Sequence, residues 1–266
     1  MKVENQSFLA CDFACDGLRF VVAGADSNVY LYDEATRELI SKMNSNGVKI
    51  PGHVSRIFCT KFMPDDKNLL ITGGWDRTMK LYDTRVGRPV AQLGGPQICG
   101  DCIDVNGDEI LCASNRQEKP LNIFSLSMRK KLVDIEWDNP IRRDYDAGFL
   151  YGARFSKDDH RSVVFAAGAG KNEAKVFDND SEGKGSYREL CHLADNHHAI
   201  LCLDTSPNGK SVAMGTSQGK VLITPYAVNK KGAVDEDDEF ANLSAADKLA
   251  AVRAMKQAEK AEEAKS

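Results

Sequence analysis

No apolar stretch in this 266-residue chain approaches the roughly 20 residues of a membrane-crossing helix, and its opening, MKVENQSFLACDF, lacks the long apolar run of a secretory signal. Clusters of Lys and Arg are missing as well. Nine acidic and five basic residues fall within 234–266, so that stretch carries the whole formal charge of −4 and residues 1–233 balance. Without a basic run there is no counterion-releasing surface of the kind a general nucleic-acid binder uses. The acid cluster at 235–239 repels phosphate and anionic lipid. Neither nucleic acid nor membrane is expected as a partner.

Catalytic and metal motifs are also scarce. The eight cysteines are scattered, mostly in strand-like runs, and with no export signal they read as reduced thiols of a cytoplasmic protein. Cys99 and Cys102 form one C-x-x-C. A structural zinc site needs four ligands, and no second pair stands at finger spacing. Cys11 with Cys15, and Cys191–His192 with His197–His198, assemble into a site only on paper. The stretch GAGK at 168–171 echoes a phosphate loop but lacks the upstream glycine, and Asn172 stands where Ser or Thr would hold magnesium. No nucleophile elbow of the G-x-S-x-G type supports a catalytic serine. No catalytic residue, cofactor or metal is expected, and the chain is read as no enzyme.

What the sequence does contain is repetition, with 42% hydrophobic residues to build a core. TGGWDRTMKLYD at 72–83 raises the question of why a tryptophan sits in a turn and a strand ends on Tyr-Asp. Its pattern returns at 23–39, 113–132, 166–185 and 215–232: a turn of small residues, an alternating strand, an aromatic or its substitute, then polar residues. The upstream halves recur too, as FLACDF, IFCTKF, ICGDCIDV, LYGARF and ILCLDT. Each is followed by a turn such as Asp16–Gly17, Asn106–Gly107 or Pro207–Asn208–Gly209 and then a more apolar strand. Asn, Asp and Gly tolerate the positive φ of tight hairpins, and Pro presets the turn. The aromatic positions Tyr32, Tyr82, Phe124 and Phe177 lie 50, 42 and 53 residues apart. Short strands at that period read as propeller blades.

On Gly52–His53, Thr72, Asp76 and Tyr82–Asp83, the second unit resembles the WD-repeat β-propeller family. Asp26 and Tyr32–Asp33 carry a weaker echo in the first unit. The resemblance covers about residues 7–228. It implies an all-β propeller of about five visible blades, at roughly 7–45, 51–93, 96–135, 148–193 and 196–228, forming a domain over 1–228. An acidic linker and C-terminal α-helix follow at 229–266. The resemblance also implies a structural network of His53, Thr72, Asp76 and Tyr82, with Asp26 and Tyr32 as its first-unit counterparts. Buried Asp and His are costly alone but fix a turn when each meets a partner. Gly-His pairs are missing from the other units, and the third and fourth lack the turn Asp, so those blades are expected to rely more on packing.

Five units leave three readings: closure on themselves, absent upstream blades, or a partner that completes the ring. The expectation is an incomplete propeller packed against another protein, because an open one exposes sheet edges. In the tail, Ser244 with Asp247 resembles a capping box, and Leu249, Val252 and Met255 form a short apolar stripe. The helix either lies on the propeller or docks in a partner's groove.

The resemblance also implies a top rim made from the residue before the turn Asp and from the start of each inner strand. Carried over, these are Trp75, Arg56, Phe58, Phe149, Tyr151 and Leu201. Trp, Tyr and Arg are frequent interface anchors; Phe58 and Phe149 are equally suited to filling space between blades. Two functions remain. One is a non-enzymatic scaffold, a structural subunit of a larger assembly of cytoskeletal or ciliary type. It would bind a peptide or loop at the rim and a neighbour at the open edge. The other is a regulatory adaptor recognising a short motif in a ubiquitin-ligase or chromatin-type complex.

Overall fold

The computed structural model describes residues 7–44, 50–116, 118–137, 149–157, 163–179, 187–193, 197–208 and 210–226. The chain divides into Met1–Tyr226 and Ala227–Ser266, and the expected linker and helix at 229–266 lie outside the described residues.

Among the described residues, five antiparallel sheets follow one another along the chain. The first is β1 (Phe8–Phe13), β2 (Arg19–Gly24), β3 (Val29–Asp33) and β4 (Leu39–Met43). The second is β5 (Ile57–Met63), β6 (Asp66–Gly74), β7 (Thr78–Asp83) and β8 (Arg88–Gly94). The third is β9 (Ile103–Asn106), β10 (Glu109–Ala113), β11 (Leu121–Ser125) and β12 (Lys130–Ile135). The fourth is β13 (Phe149–Phe155), β14 (Val163–Ala169), β15 (Ala174–Asn179) and β16 (Tyr187–Leu193). The fifth, among the described residues, has three strands: β17 (Ile200–Thr205), β18 (Ser211–Thr216) and β19 (Val221–Pro225). In every sheet, neighbours in sequence are neighbours in space.

Turn chemistry sets this meander. Gly17 and Gly107 take φ of +69° and +57° in the first hairpins of their sheets, a conformation that glycine adopts without a Cβ clash. The Asp16 carboxylate accepts the Leu18 amide at 3.1 Å. The aromatic repeat falls on the third strand of four sheets: Tyr32, Tyr82, Phe124 and Phe177 are all buried. Each such side chain contributes about 1.5–3 kcal/mol by leaving water. The residue after the aromatic serves the next turn. Asp33 Oδ1 accepts the Thr36 amide at 2.8 Å, Asp83 Oδ1 accepts the Arg85 amide at 2.9 Å, and Ser125 Oγ accepts the Met128 amide at 3.0 Å. Tyr82–Asp83 therefore joins a core side chain to a turn cap.

The sheets pack in chain order through their first strands: β1 on β5, β5 on β9, β9 on β13 and β13 on β17. Alternation gives every first strand two jobs. Thr60 and Phe62 in β5, Ile103 and Val105 in β9, Ala153 and Phe155 in β13, and Leu203 and Thr205 in β17 are buried. Phe62 sits in a cluster with Val21, Val29 and Leu31 of the first sheet. Leu203 sits in one with Val163 and Phe165 of the fourth. This face thus looks back at the preceding sheet. In β1 the corresponding Cys11 and Phe13 are exposed, and among the described residues no extensive packing joins the fifth sheet to the first.

Burial also sorts the cysteines. Cys59, Cys102 and Cys112 are buried, and burial drives their thiols well above the usual range. Cys11, Cys15, Cys191 and Cys202 are exposed. Since the thiolate is the reactive form, iodoacetamide on the native protein should label the exposed four and spare the buried three until denaturant is added. Mass spectrometry of the peptides checks this; early labelling of Cys112 would show that the third sheet is not packed as described.

Candidate functional site

The second sheet holds a dense polar network. His53, whose side chain is fully buried, comes in from the loop before β5. Its Nδ1 lies 2.8 Å from Asp76 Oδ2 and its Nε2 lies 2.7 Å from Thr72 Oγ1. Thr72 Oγ1 also donates to the Lys80 carbonyl at 3.3 Å, and Asp76 accepts from the Val54 amide and from the Thr78 amide and hydroxyl. Burial pushes the Asp76 carboxyl up. The His53 contact and the other donors more than offset this and hold it at about 2. Burial dominates at His53 and lowers the imidazole below its ordinary value, against the opposing pull of Asp76. Tyr82 stacks on the His53 ring with centroids 6.5 Å apart, and burial raises its hydroxyl to about 12. The network ties the loop at 52–54 to the β6–β7 turn; it aims no group at solvent.

The first-sheet counterpart is wired differently. Asp26 Oδ2 accepts from the Tyr30 hydroxyl at 2.5 Å, and Asn28 adds two side-chain contacts. Tyr32 instead stacks on Phe20 at 5.3 Å. Both tyrosines share one strand face, and Tyr30 stands nearer the turn. Sequence reading missed Tyr30, although its place two residues after Asn28 was visible.

At the rim, a register shift interrupts the pairing of four first strands, between Phe8 and Ala10, Ile57 and Cys59, Leu150 and Gly152, and Ile200 and Cys202. A β-bulge of this kind leaves one residue unpaired and re-aims its side chain. The four residues are Leu9, Phe58, Tyr151 and Leu201, so three of the expected rim residues share one structural station. In the third sheet, Asp101 occupies it and bridges to Gly152.

Three of the expected residues meet. The Phe58 and Trp75 rings are 5.2 Å apart, and the Arg56 guanidinium lies 5.6 Å from the Trp75 centroid. The Trp75 amide donates to the Arg56 carbonyl at 3.1 Å, which joins the β6–β7 turn to the start of β5. Trp75 remains 40% exposed, Arg56 is exposed, and Phe58 is half-buried against the large core cluster. Trp75 is thus a surface ring packed against both Phe58 and Arg56. Phe149 and Tyr151 are half-buried. Burial, then Cys99 and Cys102, raise the Tyr151 hydroxyl, while Asn115 opposes them. Leu201 is exposed on β17. Among the described residues no ring contact joins Phe149 or Tyr151 to the Trp75 group.

Sequence reading gave no role to Arg154. Its guanidinium is buried, donates to the carbonyls of Asp101 at 3.0 Å and Ala153 at 2.8 Å, and pairs with the Asp101 carboxylate. Its Nε lies 3.8 Å from Asp204 Oδ1. Among the described residues no three His, Cys, Asp or Glu side chains gather as a metal site would require. The half-buried Cys99 and the buried Cys102 belong to the segment before β9, and the Cys102 thiol donates to the Leu150 carbonyl at 3.6 Å. Gly168, from the glycine-rich echo, lies in β14, where an added Cβ would meet the Phe149 carbonyl oxygen at 2.0 Å.

Residues 45–83 match the family described as WD40, "WD domain, G-beta repeat". The chain is also similar to the LEC14B homolog of Prunus armeniaca, 26% identical over 138 residues, or 50% of this chain and 27% of that protein. It is 30% identical over 89 residues to WD repeat-containing protein 1 of Mus musculus, covering 33% of this chain and 14% of that one. With the guanine nucleotide-binding protein subunit beta of Zea mays it shares 25% identity over 186 residues, 67% of this chain and 46% of that protein. The chain therefore spans less than half the length of these relatives. The matched repeat contains His53, Thr72, Asp76 and Tyr82: residues 45–83 form a WD repeat, and the five meandering sheets are consistent with a WD-repeat propeller.

Proposed function

We propose that this chain is a non-enzymatic protein–protein interaction scaffold, a structural subunit of a larger assembly. It engages a peptide or loop through its rim and a neighbour through its open end. The observation that carries this reading is the group of Arg56, Phe58 and Trp75. A tryptophan held 40% exposed in a turn, against an arginine and a phenylalanine, offers apolar area at low entropic cost. It has the composition of an interface anchor. The WD-repeat relatives support the same reading. A cytoplasmic setting, with a cytoskeletal or ciliary assembly as its class, belongs to the proposal and rests on the reduced-thiol cysteine pattern and on the family.

The test is a quantitative pull-down from the source cells, comparing the intact chain with a Phe58→Ala, Trp75→Ala double variant whose fold is checked by circular dichroism. A rim contact should lose at least about 2–4 kcal/mol, which removes a micromolar partner from the precipitate. If a partner set that is stoichiometric with the intact chain stays bound to the folded variant, the rim is not its site.

A further inference from the structure

Five charged residues occupy one register in the first strands of the five sheets. Asp12 pairs with Val21, Lys61 with Ile71, Asp104 with Leu111, Arg154 with Phe165, and Asp204 with Ala213. In chain order, which is packing order, their signs alternate: acid, base, acid, base, acid.

The acids do more than balance charge. Asp12 Oδ2 accepts the amide of Phe62 at 2.7 Å, and Phe62 follows Lys61 in the next sheet. Asp104 Oδ2 accepts the amide of Phe155 at 2.9 Å, and Phe155 follows Arg154 in the next sheet. At both junctions led by an aspartate, the following strand therefore supplies a backbone N–H and, one residue earlier, a cation. Lys61 acts on the Asp12 carboxyl and Asp104 on the Arg154 guanidinium through their charges. Asp104 Oδ1 also accepts its own strand's Val105 amide at 3.0 Å.

Asp204 repeats the near half of this arrangement. Its Oδ1 accepts the Thr205 amide at 2.9 Å. On the far side, where Asp12 and Asp104 meet another sheet, the Asp204 side chain is 61% exposed. It meets Lys157 Nζ at 2.8 and 3.0 Å and Arg154 Nε at 3.8 Å, both from the preceding sheet. Around it the same face of the fifth sheet leaves Cys202, Val221 and Ile223 exposed, the last two by 68% and 63%. Apolar area of that kind, with an acceptor at its inner edge, marks a surface built to be covered.

We propose that this face binds a β-sheet of another protein, whose innermost strand places a Lys or Arg beside Asp204 and donates the next backbone N–H to its carboxylate. The proposal rests on the scaffold reading and names the chemistry of the partner at its open end. Charge selects the occupant. A second copy of this chain stacked head to tail would bring β1, and with it Asp12, to the station that Lys61 and Arg154 hold at the other two aspartate-led junctions. Carboxylate would then meet carboxylate, which disfavours that pairing.

Cys202 is a built-in reporter of this face, and Cys15, exposed in the turn after β1, is its internal reference. The assembly purified from source cells through the intact chain is treated with iodoacetamide, beside the isolated chain, and the rate at each cysteine is read by mass spectrometry. Carbodiimide, which joins carboxylates to contacting lysines, is applied in parallel. The expected result is Cys202 labelling slower by about tenfold or more in the assembly, as for a face at least nine-tenths occupied. In addition, Asp204, which joins Lys157 of its own chain in the isolated protein, cross-links in the assembly to a strand lysine of another protein where lysine takes that place. In Asp204→Lys the labelling rate returns to that of the isolated chain, while Asp204→Glu stays protected. Should Asp204→Lys not fold, Asp204→Asn removes the charge and should lose most of the protection.

Several outcomes overturn the proposal. Cys202 that labels equally fast in an assembly with stoichiometric partners means this face is bare while the scaffold reading stands. Protection already present in the isolated chain assigns the face to residues 227–266 if it is independent of concentration, and to a second copy if it grows with concentration. Protection that survives Asp204→Lys and Asp204→Asn removes the cation. An intact chain that brings down no stoichiometric partner overturns the scaffold reading as well.

Discussion

Arg154→Met should lower the unfolding free energy by about 2–4 kcal/mol, the loss expected when a buried guanidinium is removed and the backbone carbonyls of Asp101, Ile103 and Ala153 lose their donor. Arg154 is 5% exposed and links three sheets. It projects from β13, donates to the Asp101 and Ile103 carbonyls beside and within β9, and lies near Asp204 of β17. Methionine fills much of its volume, so the loss reports charge and hydrogen bonds more than a cavity. Without the guanidinium, Asp101, Asp104 and Asp204 lose the cation they share, although Asp204 keeps Lys157. The matched control is Arg85→Met. Arg85 also holds an aspartate, Asp83, through several short contacts, but its side chain is 63% exposed. Exposed pairs contribute about 0–1 kcal/mol, so this variant should be nearly silent.

Urea titration at neutral pH measures both variants. Acid gives a second reading. The Asp204 carboxyl is held below its ordinary value: burial raises it, and Lys157, the Thr205 amide and Arg154 more than offset that. A carboxylate depressed in the folded state stabilises above its unfolded pKa and loses that contribution as pH falls. The gap between intact protein and Arg154→Met should therefore narrow below about pH 4. A loss under about 1 kcal/mol at neutral pH would show that packing alone joins the third, fourth and fifth sheets.

Asp76→Ala is the second large effect, expected at about 2–4 kcal/mol because it strands several polar groups. The Val54 amide and the Thr78 amide and hydroxyl lose their acceptor, and the buried His53 ring loses its Nδ1 partner. Asp76→Asn keeps the shape and part of the hydrogen bonding, so it should cost less. The same network makes the intact protein acid-sensitive in two steps of one sign. The His53 pKa is lowered in the fold, so the unfolded chain takes up a proton first. That stability is fully present above the ordinary value of about 6.5 and declines as pH falls through it. Asp76, at about 2 in the fold against 3.8 ordinarily, adds a further loss as pH drops from near 4 toward 2. His53→Gln should flatten the slope between pH 7 and 5. An unchanged slope would assign the acid sensitivity to other groups.

Some of this could be read along the chain and some could not. The meander, the turns and the aromatic third-strand positions are local. A strand of period two, a turn of Asp, Asn, Gly or Pro and a following strand determine one another within about 30 residues. For that reason Tyr32, Tyr82, Phe124 and Phe177 were visible as equivalent before any sheet was seen. The His53–Thr72–Asp76 group was legible only through resemblance, since its members stand 19 and 23 residues apart. The split between Tyr30 and Tyr32 depended on which tyrosine lies nearer the turn, and that required the register. FLACDF, IFCTKF, ICGDCIDV, LYGARF and ILCLDT displayed their charged residues in full view, yet as single letters these looked like ordinary polar positions of amphipathic strands. Only tertiary structure set them side by side, because Asp12 and Asp104 each act on a backbone amide about 50 residues away in the next sheet. The sequence by itself determined a repeated unit of three or four strands and its turn chemistry, through short-range sterics and alternation. Which faces meet, which remain bare and which cation answers which carboxylate were decided by packing between sheets, where burial makes each unmatched group costly.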